Sequence, residues 1–341
     1  MKIIYSPDHR FQDAFTELID GRFQPPVENP RRVEGILSAL RENSFESIAP
    51  PQDFGLEPIL RVHDPGFVEF LQSAWGEWVA KHGEIDALPL NWAIRTMRSD
   101  RIPDDIDGKL SYYSFDAGTP IIAGTWQAAY ASAQVALTGQ SFVSNGESVV
   151  FSLCRPPGHH AARDFLGGYC FLNNGAIAAQ AFRDAGAERV AILDVDYHHG
   201  NGTQAIFYDR ADVLFVSIHA HPRLAYPYFL GYDDEQGAGN GEGYTRNYPL
   251  LPGTDWTVYQ DALNDALQQI NAYQPDALVI SLGVDTFEHD PICDFKLTTP
   301  DYAKMGDRIS SLGLPTLIVM EGGYALEAIG ANVVSFLKGM Q

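Results

Sequence analysis

Two aspartates and a histidine follow one apolar segment at two-residue intervals. Residues 190–193 have the composition of a buried parallel strand, and Asp194, Asp196 and His198 come directly after it. Side chains of an extended chain alternate between two faces, so we expect these three to point the same way if the extended form persists. Buried charges are tolerated when they are paired or bound to a metal ion. The spacing therefore indicates either a metal site or a solvated acidic loop.

Polar side chains also follow four other apolar runs, at residues 149–153, 213–218, 277–282 and 316–320. These runs lead into His159-His160, His219, Asp285 and Glu321-Gly322-Gly323-Tyr324, respectively. In open α/β sheets, ligands bind beyond the carboxyl ends of the strands. We therefore expect these side chains to meet at one edge of a sheet.

Asp196, His198 and Asp285 would give a metal ion two carboxylates and one imidazole. Three protein ligands with one position open to water are typical of a catalytic metal site. The donor set suits Zn²⁺ but also Fe²⁺, Mn²⁺ or Co²⁺. The alternative for Asp285 is that it caps the amino terminus of a helix that begins at Thr286.

Two further motifs supply groups for acid–base chemistry. His159 and His160 follow two prolines and a glycine, at the rim where an activated water would need a base; the alternative is a surface pair. Gly322 and Gly323 allow Tyr324 to approach a reaction centre, where its phenol could donate to a developing oxyanion. A Gly-Gly-Tyr sequence alone is more often an ordinary turn.

The elements that would position these groups alternate along the chain. Predicted strands cover residues 2–5, 149–153, 190–195, 213–218, 277–282 and 316–320, and predicted helices include 30–43, 123–138, 174–185 and 256–273. This alternation predicts an α/β fold with a parallel sheet covered by helices on both faces. No linker divides the pattern, so we expect a single domain over residues 1–341.

Composition excludes several classes of protein. The chain of 341 residues is 45% apolar, which allows a sizeable core, and has no apolar stretch long enough to span a membrane. The sequence shows no secretory signal. The spacing of its three cysteines, Cys154, Cys170 and Cys293, indicates neither disulfide bonds nor a cysteine metal site. We therefore expect a cytoplasmic protein. The net charge of −21 disfavours nucleic acid and anionic membranes and favours cationic ligands, although acidity also simply promotes solubility.

Residues 80–120 have few strand or helix signals but contain Trp92 and several arginines and aspartates. A long irregular excursion inside a domain is usually functional or disordered. Its aromatic and charged residues favour an ordered loop that shapes a site or contacts a partner subunit.

Five motifs occur in order: residues 155–160, 167–174, 194–202, 283–286 and 321–324. Together they resemble the arginase/deacetylase superfamily, and specifically its zinc-dependent, histone-deacetylase-like amidohydrolases, from about Val62 to the end of the chain. The acidic composition and the segment around Arg101 look most like the bacterial acetylpolyamine amidohydrolases. The resemblance implies a three-layer αβα fold with a mostly parallel sheet of about eight strands.

The resemblance also implies roles for individual residues. Asp196, His198 and Asp285 would hold one Zn²⁺ per chain. His160 would be the general base and then the general acid, and His159, held by Asp194, would act electrostatically. Tyr324 would stabilise the oxyanion. Gly168 and Tyr169 would line the acyl tunnel opposite Tyr226, where the family often has Phe. One structural K⁺ or Na⁺ would lie at Asp194 and Ser217, and a second near Phe207, Val213 and Tyr244.

The chain departs from many eukaryotic relatives at Asn201, where they have an aspartate behind the catalytic histidine. An amide orients an imidazole but does not stabilise its cationic form as a carboxylate does. We therefore expect His160 to have a lower pKa than it would with an aspartate at position 201.

The resemblance implies a cationic, slender substrate and a homodimer, because polyamine-type members carry a long insertion that narrows the channel and contributes to a dimer interface. The substrates would be acetylated putrescine, cadaverine or spermidine, with a distal ammonium near Asp107, Asp104, Asp105 or Asp116, of which Asp107 is preferred. Three alternatives remain: a broader acetyl-lysine or small-amide deacylase, a dimanganese ureohydrolase of the same fold, and an inactive relative that senses small molecules.

Overall fold

Eight parallel strands form the central sheet of the computed structural model, which describes residues 1–19 and 21–341. In chain order they are β1 (Lys2–Ile4), β4 (Ile48–Ala49), β5 (Val149–Ser152), β6 (Val190–Asp194), β7 (Val213–Ala220), β8 (Thr245–Leu250), β9 (Ala277–Leu282) and β10 (Thr316–Met320). Their order across the sheet is β4-β1-β5-β10-β9-β6-β7-β8, and every neighbouring pair is parallel. The predicted α/β fold with about eight strands is confirmed.

Helices cover both faces of this sheet because alternate residues of its strands are apolar on both sides. The helices are α1 (Arg31–Glu42), α2 (Glu57–Leu60), α3 (Pro65–His82), α4 (Ile106–Tyr112), α5 (Thr125–Ser144), α6 (Asn174–Asp184), α7 (Asn201–Phe207), α8 (Trp256–Tyr273), α9 (Thr299–Ser310) and α10 (Ile329–Gly339). In β6, Ala191 and Leu193 pack into one core with α1, α8, α9 and α10, whereas Val190 and Ile192 pack into the other with α3, α5 and α6. The result is a three-layer αβα arrangement.

The sequence patterns located most of the central strands but missed several peripheral elements. Strands β9 and β10 and helix α8 have the predicted bounds, while β4 and β8 were not predicted. A separate antiparallel hairpin, β2 (Glu17–Ile19) and β3 (Arg22–Gln24), was also not predicted. In the described part of the chain, none of the helices has both the length and the apolar character needed to cross a bilayer.

The segment of residues 80–120 is less irregular than its sequence indicates. It contains helix α4, which begins after Asp105 because the Asp105 side chain accepts a hydrogen bond from the Asp107 N–H. Isolated bridges join Ala87 to Ile121 and Ser114 to Leu166. The segment is therefore attached to the rest of the fold at both ends.

Four adjacent central strands, β5, β10, β9 and β6, end at the same edge of the sheet. Four of the five sequence motifs lie at the carboxyl ends of these strands: residues 155–160 after β5, 194–202 at the end of β6, 283–286 after β9 and 321–324 after β10. The fifth motif, residues 167–174, packs against the loop after β5. The fold thus gathers the motifs at one place, as expected for an open parallel sheet.

Candidate active site

Asp196, His198 and Asp285 meet at the ends of the adjacent strands β6 and β9. The His198 Nδ1 lies 3.2 Å from the Asp285 Oδ2 and 3.5 Å from the Asp196 Oδ1. Asp285 is held in place by the N–H of Tyr197, which donates to its Oδ1 at 2.8 Å. The three donors that the sequence predicts as metal ligands are therefore together, and Asp285 does not cap a helix that begins at Thr286.

The way in which these side chains come together differs from the prediction. Strand β6 ends at Asp194, and the chain then turns instead of remaining extended. The Asp194 Oδ1 accepts the N–H of Asp196 at 3.1 Å, and the Asp196 Oδ1 accepts the N–H of His198 at 2.9 Å. Local side-chain-to-backbone turns, and not strand alternation, bring Asp196 and His198 to one point.

The charges of this cluster fit a divalent cation. Asp196 and Asp285 have no solvent exposure, and two buried carboxylates repel one another unless positive charge lies between them. Burial, followed by the charge of Asp196, raises the pKa of Asp285 to about 7. Burial alone would lower the pKa of His198, but Asp196 and Asp285 raise it to about 9. The cluster thus carries excess negative charge, and its oxygen and nitrogen donors are suited to Zn²⁺ or a related ion.

The paired histidines follow β5 and have partners of different charge. The His159 Nδ1 lies 3.0 Å from the Asp194 Oδ2, whereas the His160 Nδ1 lies 2.6 Å from the Asn201 Oδ1. Burial alone would lower the pKa of His159, but Asp196 and Asp194 raise it to about 10. Burial, with positive charge on His159 and His198, lowers the pKa of His160 well below its ordinary value. These shifts favour a protonated His159 beside a neutral His160.

Tyr324 lies on the loop after β10, where Gly323 adopts a φ of +123°. The N–H of Tyr324 donates to the Asp290 Oδ2 at 2.7 Å, and the guanidinium of Arg32 lies 4.9 Å from the centre of the phenol ring. Burial raises the pKa of Tyr324 well above its ordinary value, so the phenol keeps its proton and is a hydrogen-bond donor.

A cavity of about 1020 Å³ opens onto these groups. Its lining includes His160, His198 and Tyr324 together with the predicted tunnel residues Gly168, Tyr169 and Tyr226. A Cβ atom at Gly168 would collide with the His160 ring, and the φ of +56° also favours glycine there. Tyr226 lies edge-on to His160, with 5.1 Å between the ring centres.

Asp116 is the acidic residue of the 80–120 segment that lines this cavity. Its Oδ2 accepts the hydroxyl of Tyr226 at 2.7 Å and the N–H of Gly168 at 2.5 Å, so it connects two parts of the cavity wall. Asp107, the residue preferred from the sequence for the distal ammonium, is not among the lining residues. It lies in the first turn of α4 and pairs with Lys81 and His82, at 2.7 Å in each case.

The residues predicted for monovalent cations lie on β6, β7 and the segments beside them. Ser217 is paired in register with Asp194, and its hydroxyl lies 2.8 Å from the His219 Nδ1. The carbonyl of Phe207 accepts the N–H of Arg210, and that of Tyr244 accepts the N–H of Phe215, two residues after Val213. Cation binding at either place stays a prediction.

Several groups at the site were not predicted from the sequence. Cys293 lines the cavity, and its sulfur belongs to a group with His198 and Asp285 whose ligand atoms lie within 4.8 Å of one another. Leu18, Ile19, Arg22 and Gln24 of the amino-terminal hairpin form part of the cavity wall. Behind Tyr324, the buried Arg32 and Arg155 share the carboxylate of Glu28. Apart from the i,i+4 pair of Glu28 and Arg32, long-range contacts create these features, and the local sequence gives no signal for them.

Comparison with known proteins identifies relatives over the whole length. Residues 26–340 match the family model described as the histone deacetylase domain. The chain is 60% identical to acetylpolyamine amidohydrolase 2 of Pseudomonas aeruginosa, with 100% of this chain and 99% of that protein covered. It is 50% identical to acetylpolyamine amidohydrolase of Mycoplana ramosa, again over 100% and 99%. The crystal structure of acetylpolyamine aminohydrolase from Burkholderia pseudomallei has a TM-score of 0.94 at 41% identity, covering 99% of this chain and 98% of that one.

Proposed function

The chain belongs to the histone deacetylase domain family, and we propose that it is a metal-dependent amidohydrolase that removes acetyl groups from acetylated polyamines. One observation carries this proposal: His198, His160 and Tyr324 line the same cavity, and the two buried carboxylates Asp196 and Asp285 lie beside His198. The names of relatives that are 42–60% identical over nearly their whole length support the choice of substrate class.

We propose that Asp196, His198 and Asp285 hold one Zn²⁺, with Fe²⁺ or Co²⁺ as alternatives. A divalent ion supplies Lewis acidity, which polarises an amide carbonyl and makes water more acidic. Two carboxylates and one imidazole leave positions open for both, as a catalytic site requires.

The protein's own side chains then handle protons and charge. Because Asn201 Oδ1 only accepts hydrogen bonds, it fixes the proton of His160 on Nδ1 and leaves Nε2 free to take a proton from the attacking water. The same nitrogen returns a proton to the leaving amine. The Tyr324 hydroxyl donates to the carbonyl oxygen as negative charge develops there. His159, held by Asp194, keeps positive charge beside the site.

The charge of the cavity favours a cationic amine over a neutral amide. Two carboxylates, Asp116 and Asp294, and one guanidinium, that of Arg22, are on its wall, and the protein's net charge of −21 attracts cations. We propose that Asp116 faces the distal ammonium of acetylated putrescine, cadaverine or spermidine, in place of Asp107. The tunnel residues Gly168, Tyr169 and Tyr226 would enclose the methylene chain.

We also propose a homodimer formed through the 80–120 segment. Large apolar side chains are exposed on this segment, and contiguous apolar surface is typical of interaction sites. They are Ile85, Leu90, Ile94, Met97 and Ile102, each at least 52% exposed. The free cysteines Cys154, Cys170 and Cys293 support the proposed cytoplasmic location, and the acidic charge supports the absence of nucleic-acid and anionic-membrane partners.

The test is a kinetic panel on enzyme of defined metal content. We expect kcat/KM for acetylputrescine or acetylcadaverine to exceed that for an acetyl-lysine peptide, and metal analysis to find one ion per chain. A preference for the peptide would support the broader deacylase instead. Two ions per chain with activity on a guanidinium substrate would support the ureohydrolase, and no activity on any amide would support a sensor.

A further inference from the structure

Glu321 is the first residue after β10, and its side chain reaches the loop that carries the paired histidines. It has no solvent exposure. Its Oε2 accepts the backbone N–H of Gly158 at 2.6 Å and that of His159 at 3.2 Å. One carboxylate oxygen thus binds two consecutive peptide groups immediately before the His160 ring.

The backbone of Glu321 is itself fixed from both sides. Its N–H donates to the carbonyl of Leu282 on the neighbouring strand at 2.9 Å, and its carbonyl accepts the Arg32 guanidinium at 2.5 Å. The next residue, Gly322, donates its N–H to the Asp196 Oδ2 at 2.8 Å. Glu321 therefore lies in a segment held by several hydrogen bonds, one of which goes to Asp196 of the proposed metal cluster.

The other carboxylate oxygen of Glu321, Oε1, is buried and has no hydrogen-bond partner among residues 1–19 and 21–341. A buried polar atom without a partner is costly, so the glutamate is not explained by packing alone. The two bonds made by Oε2 are the contribution that an apolar residue of the same size would not provide.

We propose that Glu321 is a positioning residue that sets the histidine loop relative to the metal cluster and Tyr324. The motif at residues 321–324 then has two functions. Tyr324 provides the hydrogen-bond donor, while Glu321 holds Gly158 and His159, and through them His160, at the distance that proton transfer requires. This inference rests on the proposed amide hydrolysis for the role of His160, but the placement of the loop is a separate property.

Two substitutions of similar size separate positioning from charge. Glu321→Gln keeps a side-chain oxygen that accepts both N–H groups, so we expect kcat within about threefold of the wild-type value. Glu321→Met fills the same space but cannot accept these bonds, so we expect kcat to fall about 10- to 100-fold with KM within about threefold, because a small misplacement mainly affects the chemical step. Both proteins are compared at equal metal content.

Imidazole nitrogen signals from ¹⁵N-histidine-labelled protein give a readout that does not depend on activity. We expect the His159 and His160 signals to be preserved in Glu321→Gln and shifted in Glu321→Met. If Glu321→Met has the kcat and the His159 and His160 signals of the wild type, the positioning role is overturned while the proposed function stays intact. A loss in Glu321→Gln greater than tenfold would also overturn it, even if Glu321→Met does not fold. Absence of amide hydrolysis in the wild type would contradict the proposed function, and the signals would still test the placement.

Discussion

His160 is held by an uncharged partner: its Nδ1 lies 2.6 Å from the Asn201 Oδ1. The adjacent His159 is held by the carboxylate of Asp194 at 3.0 Å. The ring centres of the two histidines are only 4.0 Å apart, so two like charges would repel strongly. The pairing of one imidazole with an amide and the other with a carboxylate favours a single positive charge on the pair, carried by His159, and a neutral His160, which we propose as the base.

Replacing Asn201 by Asp should raise the pKa of His160, because a carboxylate at Nδ1 stabilises the protonated ring. A base with a higher pKa loses activity at a higher pH as the solution is acidified. We expect the acidic limb of the kcat/KM profile to move upward by about one pH unit or more. The measurement is the pH–rate profile of both proteins between pH 5 and pH 9.

Asn240→Asp adds the same charge at an exposed position and serves as the control. It should leave the profile in place. If Asn201→Asp also leaves the acidic limb unmoved, Asn201 does not tune the base.

The sequence was sufficient to predict groups that follow central strands. Apolar runs such as residues 277–282 are unambiguous, and in a parallel sheet their carboxyl ends must share an edge, so the approach of Asp285 to His198 follows from the pattern. The resemblance added the pairs His159–Asp194 and His160–Asn201, which the structure brings within hydrogen-bond distance.

Contacts between distant, irregular segments could not be predicted in this way. Arg32 binds the carbonyl of Glu321 across 289 positions, and no local pattern shows that an arginine on a helix is fully buried. The sequence also does not reveal that Lys81 and His82, on the preceding helix, pair with Asp107, which is not among the residues that line the cavity. Partners from other elements decide where such a carboxylate points.

Tyr324→Phe should lower kcat about 10²- to 10³-fold, because it removes one donor to the developing oxyanion. The raised pKa of this phenol means that its proton is available across the working range of pH. KM should change little, since the hydrogen bond strengthens only as charge develops. Steady-state kinetics check this, with Tyr248→Phe, whose hydroxyl binds Asp265 on α8, as the control. A decrease confined to KM would show that Tyr324 binds the substrate without stabilising charge.

Asp116→Asn should reduce selectivity for cationic substrates. The amide retains an oxygen for the Tyr226 and Gly168 bonds but removes the negative charge from the cavity wall. We expect kcat/KM for acetylcadaverine to fall roughly tenfold or more, whereas kcat/KM for a neutral N-alkylacetamide of the same length changes by less than about threefold.

Asp107→Asn is the matched comparison, because it removes the same charge from the surface of α4. It should affect cationic and neutral substrates equally. A charge-selective effect in Asp107→Asn but not in Asp116→Asn would restore Asp107 as the ammonium contact and would reject Asp116.

His63 should make the protein less stable as the pH falls from about 6.5 towards 4. Its buried Nε2 accepts the N–H of Asn173, the residue that caps α6, at 2.9 Å, and burial lowers its pKa from 6.5 to about 4. The unfolded chain therefore takes up a proton in this range that the folded protein excludes, so this stability is complete above pH 6.5 and is lost on acidification. Between pH 8 and pH 5 the loss in the free energy of unfolding amounts to roughly 2 kcal/mol.

Urea unfolding of the wild type and of His63→Gln at pH 8 and pH 5 tests this prediction. The glutamine accepts the same hydrogen bond without titrating, and other pH effects cancel in the difference between the two proteins. An equal loss of stability in the two proteins would show that His63 does not contribute.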